Sequence, residues 1–209
     1  TDVDPTHDDP DDVVIEYYDR SYLLFKLYER AVIQHDYDAA PFVSDGVIDV
    51  IVHFVLHLRA QPAHEPRSKV LEIHIAHILD ARGIEYEAQA KTENGKKPDF
   101  LFPSQAAYED PAFPEEQLRM LASKTSIKIV SAIADEANRI RDKHLFTLTP
   151  GDVTIPSSPN SMNCTSTWYA KVVKESYDDL IQGETMTFSR FIEEIQGLQA
   201  DRPQSLTLL

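Results

Sequence analysis

Cysteine is almost missing from this chain: Cys164 stands alone among 209 residues, so no internal disulfide can form. Long apolar runs are missing too. A membrane-spanning helix needs roughly 20 apolar residues, and the best stretch, Val47 to Leu58, is interrupted by Asp49, His53 and His57. The expectation is a soluble, cytoplasmic protein with no membrane partner. Glycine is sparse, and the six present form no Gly-rich phosphate loop, dinucleotide fingerprint or Gly-x-Ser-x-Gly elbow, which argues against NTP hydrolysis, hydride transfer and serine hydrolysis. Positive charge is also short. With 20 Lys and Arg against 35 Asp and Glu the formal charge is −15, which excludes a protein that coats nucleic acid over its whole surface.

The distribution of charge narrows this. Asp2, Asp4, Asp8, Asp9, Asp11 and Asp12 crowd the first 12 residues without a Lys or Arg, and residues 1–12 read as a solvated, extended leader or interdomain linker. Residues 13–209 are long enough for one well-buried domain. A start at Thr1 rather than Met leaves room for a longer parent chain with an N-terminal effector domain ahead of it. Between Lys91 and Lys143 the cations match the acids nearly one for one, so a locally basic cleft fits an acidic protein.

Periodicity predicts helices over 13–34 (stripe Ile15, Tyr18, Tyr22, Phe25), over 46–58 with Ser44 as N-cap and Pro62 and Pro66 closing it, and over 69–82 with Ser68 as N-cap and Gly83 as stop. After Gly83 the period becomes two: Ile84, Tyr86 and Ala88 alternate with Glu85, Glu87 and Gln89, predicting a half-exposed strand. A turn at Glu93-Asn94-Gly95 pairs that strand with Phe100-Leu101-Phe102. Then follow a loop over 103–114, a strand over 118–124, a helix over 126–142, strands over 145–148 and 167–173, and a closing helix over 187–197. Helices first, then strands interleaved with helices, predict an α/β fold: a mixed sheet flanked by helices, with a helical N-terminal part.

Four charges sit where apolar residues would be expected. Asp99 and Lys124 adjoin or enter short apolar runs that read as buried strands, where an unpaired charge costs several kcal/mol. Glu72 lies within the stripe of Leu71, Ile75, Ile78 and Leu79, and Glu136 fills the i+7 place of a row made by Ile129, Ile133 and Ile140. One such glutamate reads most simply as a helix-edge residue that snorkels or pairs with a lysine. Asp99, Lys124, Glu72 and Glu136 together point to a hard cation such as Mg²⁺, with Asp99 and Glu136 supplying oxygen ligands and Lys124 orienting water or stabilising charge at a phosphate. That combination describes metal-assisted phosphodiester hydrolysis. His53 and His57, and His74 and His77, have helix-face spacings a transition metal could use, but without His-Glu-x-x-His or a Cys pair they read as ordinary helix histidines.

Lys96-Lys97-Pro98-Asp99-Phe100-Leu101-Phe102-Pro103, Tyr108-Glu109-Asp110-Pro111, Leu118 to Thr125, and Lys143-His144-Leu145 with Thr147-Leu148 resemble the EcoRII C-terminal catalytic domain family. These are type II restriction endonucleases of the PD-(D/E)xK superfamily, and the likeness extends loosely from Asp11 to Ile192. It implies a restriction-endonuclease-like fold and a Mg²⁺-dependent, sequence-specific endodeoxyribonuclease acting on double-stranded DNA as a homodimer. Position by position, it implies that Asp99 binds metal and Lys124 is catalytic. Ala122 stands where the superfamily's usual second acid would be, so that acid comes from Glu136, with Glu72 completing the acidic cluster. Tyr108 matches a tyrosine considered functional in the family. The family's Lys-Asp-Arg-Trp-Arg run after Lys-Thr is replaced by Lys128-Ile129-Val130-Ser131-Ala132, leaving Lys128 as the DNA-contacting residue and no expectation that the site read is CC(A/T)GG. The reading from another class is a non-catalytic DNA-binding module on the nuclease scaffold.

Overall fold

A computed structural model describes residues 3–39, 65–123, 137–141, 143–148, 166–169 and 185–201. The predicted helix over 46–58, with His53 and His57, lies outside the described residues. Helix α1 runs over Pro10–Ala39, starting three residues before the predicted boundary. The cause is local: the Asp9 carboxylate accepts the Asp11 N–H at 2.9 Å and Pro10 occupies the first helical position, an N-cap and a pre-set φ in succession. The acidic segment is therefore not all solvated leader. Residues 4–8 close a turn, with the Asp4 carboxylate accepting the Thr6 N–H at 2.9 Å, and Asp11 is 1% exposed.

Helix α2 spans Glu65–Ala81, so Pro66 lies in its first turn rather than closing an earlier helix, and Ser68 is inside it rather than its cap. A missing N–H costs nothing in a first turn, whose amide groups have no intrahelical acceptor. The stop is where the sequence put it. Gly83 adopts φ +65, its N–H reaches the Asp80 carbonyl at 3.1 Å, and the Ile84 N–H reaches the Leu79 carbonyl at 3.0 Å, a left-handed helix ending that glycine adopts without a Cβ clash.

Among the described residues six strands follow: β1 (Glu87–Ala88), β2 (Phe100–Phe102), β3 (Arg119–Ser123), β4 (Lys143–Thr147), β5 (Ser166–Tyr169) and β6 (Thr185–Thr187). They form one sheet in sequence order, with β1, β2 and β3 antiparallel and β3 to β6 parallel. One short piece interrupts the loop predicted over 103–114, α3 (Gln105–Glu109), whose N-cap Ser104 accepts from the Ala107 N–H, and a 3₁₀ turn at Glu115–Gln117 follows that loop. Helix α4 (Phe188–Ala200) closes the described chain, capped by Thr187. The helix predicted over 187–197 begins one residue later, with Thr187 as both the last residue of β6 and the N-cap. Among the described residues no helix is long and apolar enough to cross a membrane.

The period of two in the strands decides which side each residue buries. Phe100 and Phe102 of β2, Leu121 of β3 and Phe146 of β4 meet Val13 and Val14 of α1, Leu71, Ile75, Ile78 and Leu79 of α2, and Phe188, Phe191, Ile192 and Ile195 of α4. Edge-on ring pairs such as Phe102 with Phe191, centroids 5.5 Å apart, add orientation to this core. The alternate residues, Leu101, Met120, Ala122 and Leu145, form a second core with Tyr108, Phe113, Ala137 and Ile140. Asp11 ties the first core together: its carboxylate accepts the Phe188 and Ser189 N–H groups at 3.0 and 2.8 Å, fixing the start of α1 on the first turn of α4, where amides lack helical partners.

His144 of β4 is 2% exposed, its ring 5.1 Å from that of Phe191. Burial, helped by the nearby Arg119 cation, lowers its pKa to about 3. The folded chain thus keeps this imidazole neutral where the unfolded chain, titrating near 6.5, takes up a proton. His144 should therefore withdraw stability as the pH falls from about 6.5 toward 3, by up to about 1.4 kcal/mol per pH unit. Chemical denaturation of wild type and His144→Leu across that range checks this, the wild-type curve being expected to fall the more steeply.

Candidate active site

Asp99 directly precedes β2 and is 7% exposed, as expected for a charge at the mouth of an apolar strand. Its environment explains how the carboxylate is tolerated. Oδ2 accepts the Ser123 N–H at 2.7 Å and the Ser123 hydroxyl at 3.3 Å, from the end of the neighbouring strand β3. Oδ1 accepts from the Gln89 side-chain amide at 3.2 Å. The same amide nitrogen lies 3.4 Å from Oε2 of Glu72, half-buried on α2. A helix glutamate 27 positions earlier in the chain than Asp99 is thereby brought to one shared donor with it.

Gln89 was expected on the outward side of a strand. It lies one residue beyond the end of β1, at φ +54, and this left-handed step turns its side chain across to the acids while its main-chain N–H donates to the Asp99 carbonyl at 3.1 Å. Alternation carried no signal of that turn.

Tyr108 is placed differently from Asp99 and Glu72. It is 5% exposed on α3, and its hydroxyl donates to the Glu93 carboxylate and accepts the Arg139 N–H at 3.3 Å. Burial and the Glu93 carboxylate push the phenol pKa well above its ordinary value. Burial alone would raise the Glu93 pKa, but the hydrogen bonds from Tyr108 and from the Asn138 N–H, with the Lys143 charge, outweigh it and leave Glu93 more acidic than usual. Arg139 completes the cluster. Its guanidinium donates to the carbonyls of Tyr108, Asp110 and Phe113, the second at 2.7 Å, and its Nε lies 3.7 Å from Glu115.

The helix predicted over 126–142 would include Arg139. Residues 137–141 are instead a turn: Ala137 has φ +48, and the Ile140 N–H bonds the Ala137 carbonyl at 2.9 Å. Ile140 still reaches the second core, but from a turn, so it does not extend a helical row through Glu136. The left-handed residue ends any helix there. Lys124, Lys128 and Glu136 lie outside the described residues; Lys124 directly follows β3, and Glu136 directly precedes Ala137. His74 is engaged elsewhere, its ring bonded to the Ser21 hydroxyl at 3.0 Å and set edge-on to Tyr17.

Among the described residues no group of three or more His, Cys, Asp or Glu could hold a metal ion. The donors at Asp99 and Glu72 are nonetheless all oxygen, and two carboxylates converging on one amide nitrogen form the kind of site a hard cation suits.

Residues 25–192 match the family model described as EcoRII C terminal. The chain belongs to this family. Over 197 residues, 93% of the chain, it is 35% identical to the type II restriction enzyme EcoRII of Escherichia coli, and it spans about half of that relative, 48% of its length. Among solved structures it is similar to restriction endonuclease PspGI in a complex with substrate DNA (TM-score 0.68, 16% identity, covering 92% of this chain and 81% of that one). It is also similar to metal-depleted Ecl18kI bound to uncleaved DNA (TM-score 0.70, 16% identity, 94% and 72% coverage). The chain thus has the restriction-endonuclease-like fold expected from its sequence: a mixed sheet, flanking helices and a helical N-terminal part.

Proposed function

We propose that this chain is a Mg²⁺-dependent, site-specific endodeoxyribonuclease that hydrolyses phosphodiester bonds of double-stranded DNA. The supporting observation is the junction of β2 and β3, where a buried carboxylate, Asp99, is anchored to Ser123 and shares the Gln89 amide with Glu72. Two carboxylates bonded to one amide nitrogen offer the oxygen donors that a hard cation takes.

In this reading Asp99 and Glu136 hold the cation, and Glu72 adds a third carboxylate close by. When bound, Mg²⁺ supplies Lewis acidity toward a phosphate oxygen and a water of lowered pKa. Lys124, next after Ser123, places an ammonium beside that phosphate and steadies the attacking water. Lys128 contacts the DNA. A continued β2–β3 register sets Ala122 opposite Asp99. Tyr108 works through the chain rather than at the phosphate, because its hydroxyl is engaged by Glu93 and Arg139, which hold the turn directly after Glu136. A homodimer would bring two such sites to the two strands.

Sequencing the ends of DNA cleaved by the full chain tests this. Unique ends are expected; scattered ends would contradict site specificity. Binding without cleavage would instead support the second reading, a non-catalytic DNA-binding module on the nuclease scaffold.

A further inference from the structure

We propose that Gln89 is a positioning residue of the cation site, holding Asp99 and Glu72 in register through the one amide nitrogen that lies between their carboxylates. The proposal rests on the reading of Asp99 as a cation ligand. Gln89 is tied to Asp99 twice, by its main-chain N–H to the Asp99 carbonyl at 3.1 Å and by its side-chain amide to Oδ1 at 3.2 Å. It reaches Glu72 on α2 with the same side chain, at 3.4 Å. These two acids belong to different elements, Glu72 to α2 and Asp99 to the residue before β2, and the Gln89 side chain is bonded to both. The shared donor ties both carboxylates to one atom, Nε2 of Gln89.

The backbone at this position is a second observation, independent of the side-chain contacts. A non-glycine residue with an ordinary Cβ sits at φ +54, a left-handed conformation that L side chains rarely adopt. Glycine would adopt it readily but would remove the amide. Retention of a side chain at a left-handed position is explained if the side chain has work to do there. Both hydrogen bonds to the carboxylates are long, 3.2 and 3.4 Å, so the amide spans the two acids rather than clamping either one. Oδ1 can therefore exchange the amide for a cation without a large penalty, whereas Oδ2 stays fixed by the Ser123 N–H at 2.7 Å. Gln89 then does for the carboxylates what an outer hydrogen-bond partner does for metal ligands in general, fixing their direction before the ion arrives.

The test measures cation binding directly. Calcium, a hard cation of the same ligand preference, is titrated by calorimetry into wild type, Gln89→Ala, Gln89→Gly and Asp99→Ala, with thermal unfolding of each in the absence of cation. Gln89→Ala is expected to weaken Ca²⁺ binding by about tenfold and to raise the Mg²⁺ concentration needed for half-maximal DNA cleavage by a similar factor. Gln89→Gly should lose as much affinity as the alanine variant even though it relieves the backbone. Wild-type Ca²⁺ affinity in either Gln89 variant would overturn the assignment, as would an equal loss of affinity that merely tracked a collapse in thermal stability. If Asp99→Ala also bound Ca²⁺ like wild type, the cation site itself would be misplaced, a different failure from that of Gln89 alone.

Discussion

Asp99→Asn is expected to reduce DNA cleavage by at least about a thousandfold, about 4 kcal/mol of barrier, while leaving the fold in place. Asparagine is the informative choice because of what Asp99 does in the resting chain. Its Oδ2 satisfies the buried Ser123 N–H at 2.7 Å, and alanine would leave that donor without an acceptor at a cost of about 1–3 kcal/mol. Asparagine keeps an acceptor oxygen for Ser123, and Gln89 can rotate its amide to present oxygen to the new NH₂ group. What disappears is the charge. Activity measured beside the melting temperature separates the two effects: activity lost with melting nearly unchanged identifies Asp99 as a ligand, whereas retained activity would show that the acid serves only the β2–β3 junction.

Arg139→Ala is expected to be among the most destabilising single changes, about 3 kcal/mol or more. The guanidinium serves three carbonyls of the 108–113 loop, and hydrogen bonds from a charged donor contribute about 1.5–3 kcal/mol each, less when they share one side chain. Removing it leaves those carbonyls without their donor in a partly buried loop and frees the turn at Ala137. For a chain of this size the melting temperature should fall by roughly 6–12 °C. Arg139→Lys should recover less than half of the loss, since one ammonium cannot reproduce a planar fork aimed at several acceptors. A melting temperature within about 2 °C of wild type for the alanine variant, a shift under roughly 1 kcal/mol, would show that the loop is held by its own packing.

Asp99 was legible because its neighbours are informative: Pro98 before it and Phe100-Leu101-Phe102 after it announce a buried strand, and no apolar context tolerates such a charge idly. Gly83 was legible for the same local reason, a helix stop that needs a left-handed residue, and Thr187 sat at the right end of α4. Pairing of β1 with β2 followed from alternation and a turn.

What escaped the sequence reading has local causes as well. Asp9 and Asp11 read in the sequence only as charge, although Asp9 caps α1 and Asp11 pins it to α4. The row of Ile129, Ile133 and Ile140 suggested one continuous helix, yet Ala137 turns left-handed and Ile140 reaches the core from a turn. No helical period can reveal that, because a single φ reversal leaves the spacing of apolar residues intact. Gln89 and Glu93 were hidden for a related reason: their roles arise from contacts with α2, α3 and the 137–141 turn, distant in sequence. The order of the parallel strands likewise depends on crossovers that local patterns do not encode.

The most direct measurement is incubation of the wild-type chain with supercoiled plasmid DNA, with Mg²⁺ and with the Mg²⁺ chelated, beside Asp99→Ala and Lys124→Ala. Conversion to linear fragments by wild type only when Mg²⁺ is present, and by neither variant, is the expected result. Equal conversion by all three proteins, or conversion by wild type that persists after chelation, would contradict a hydrolytic site built on Asp99 and Lys124.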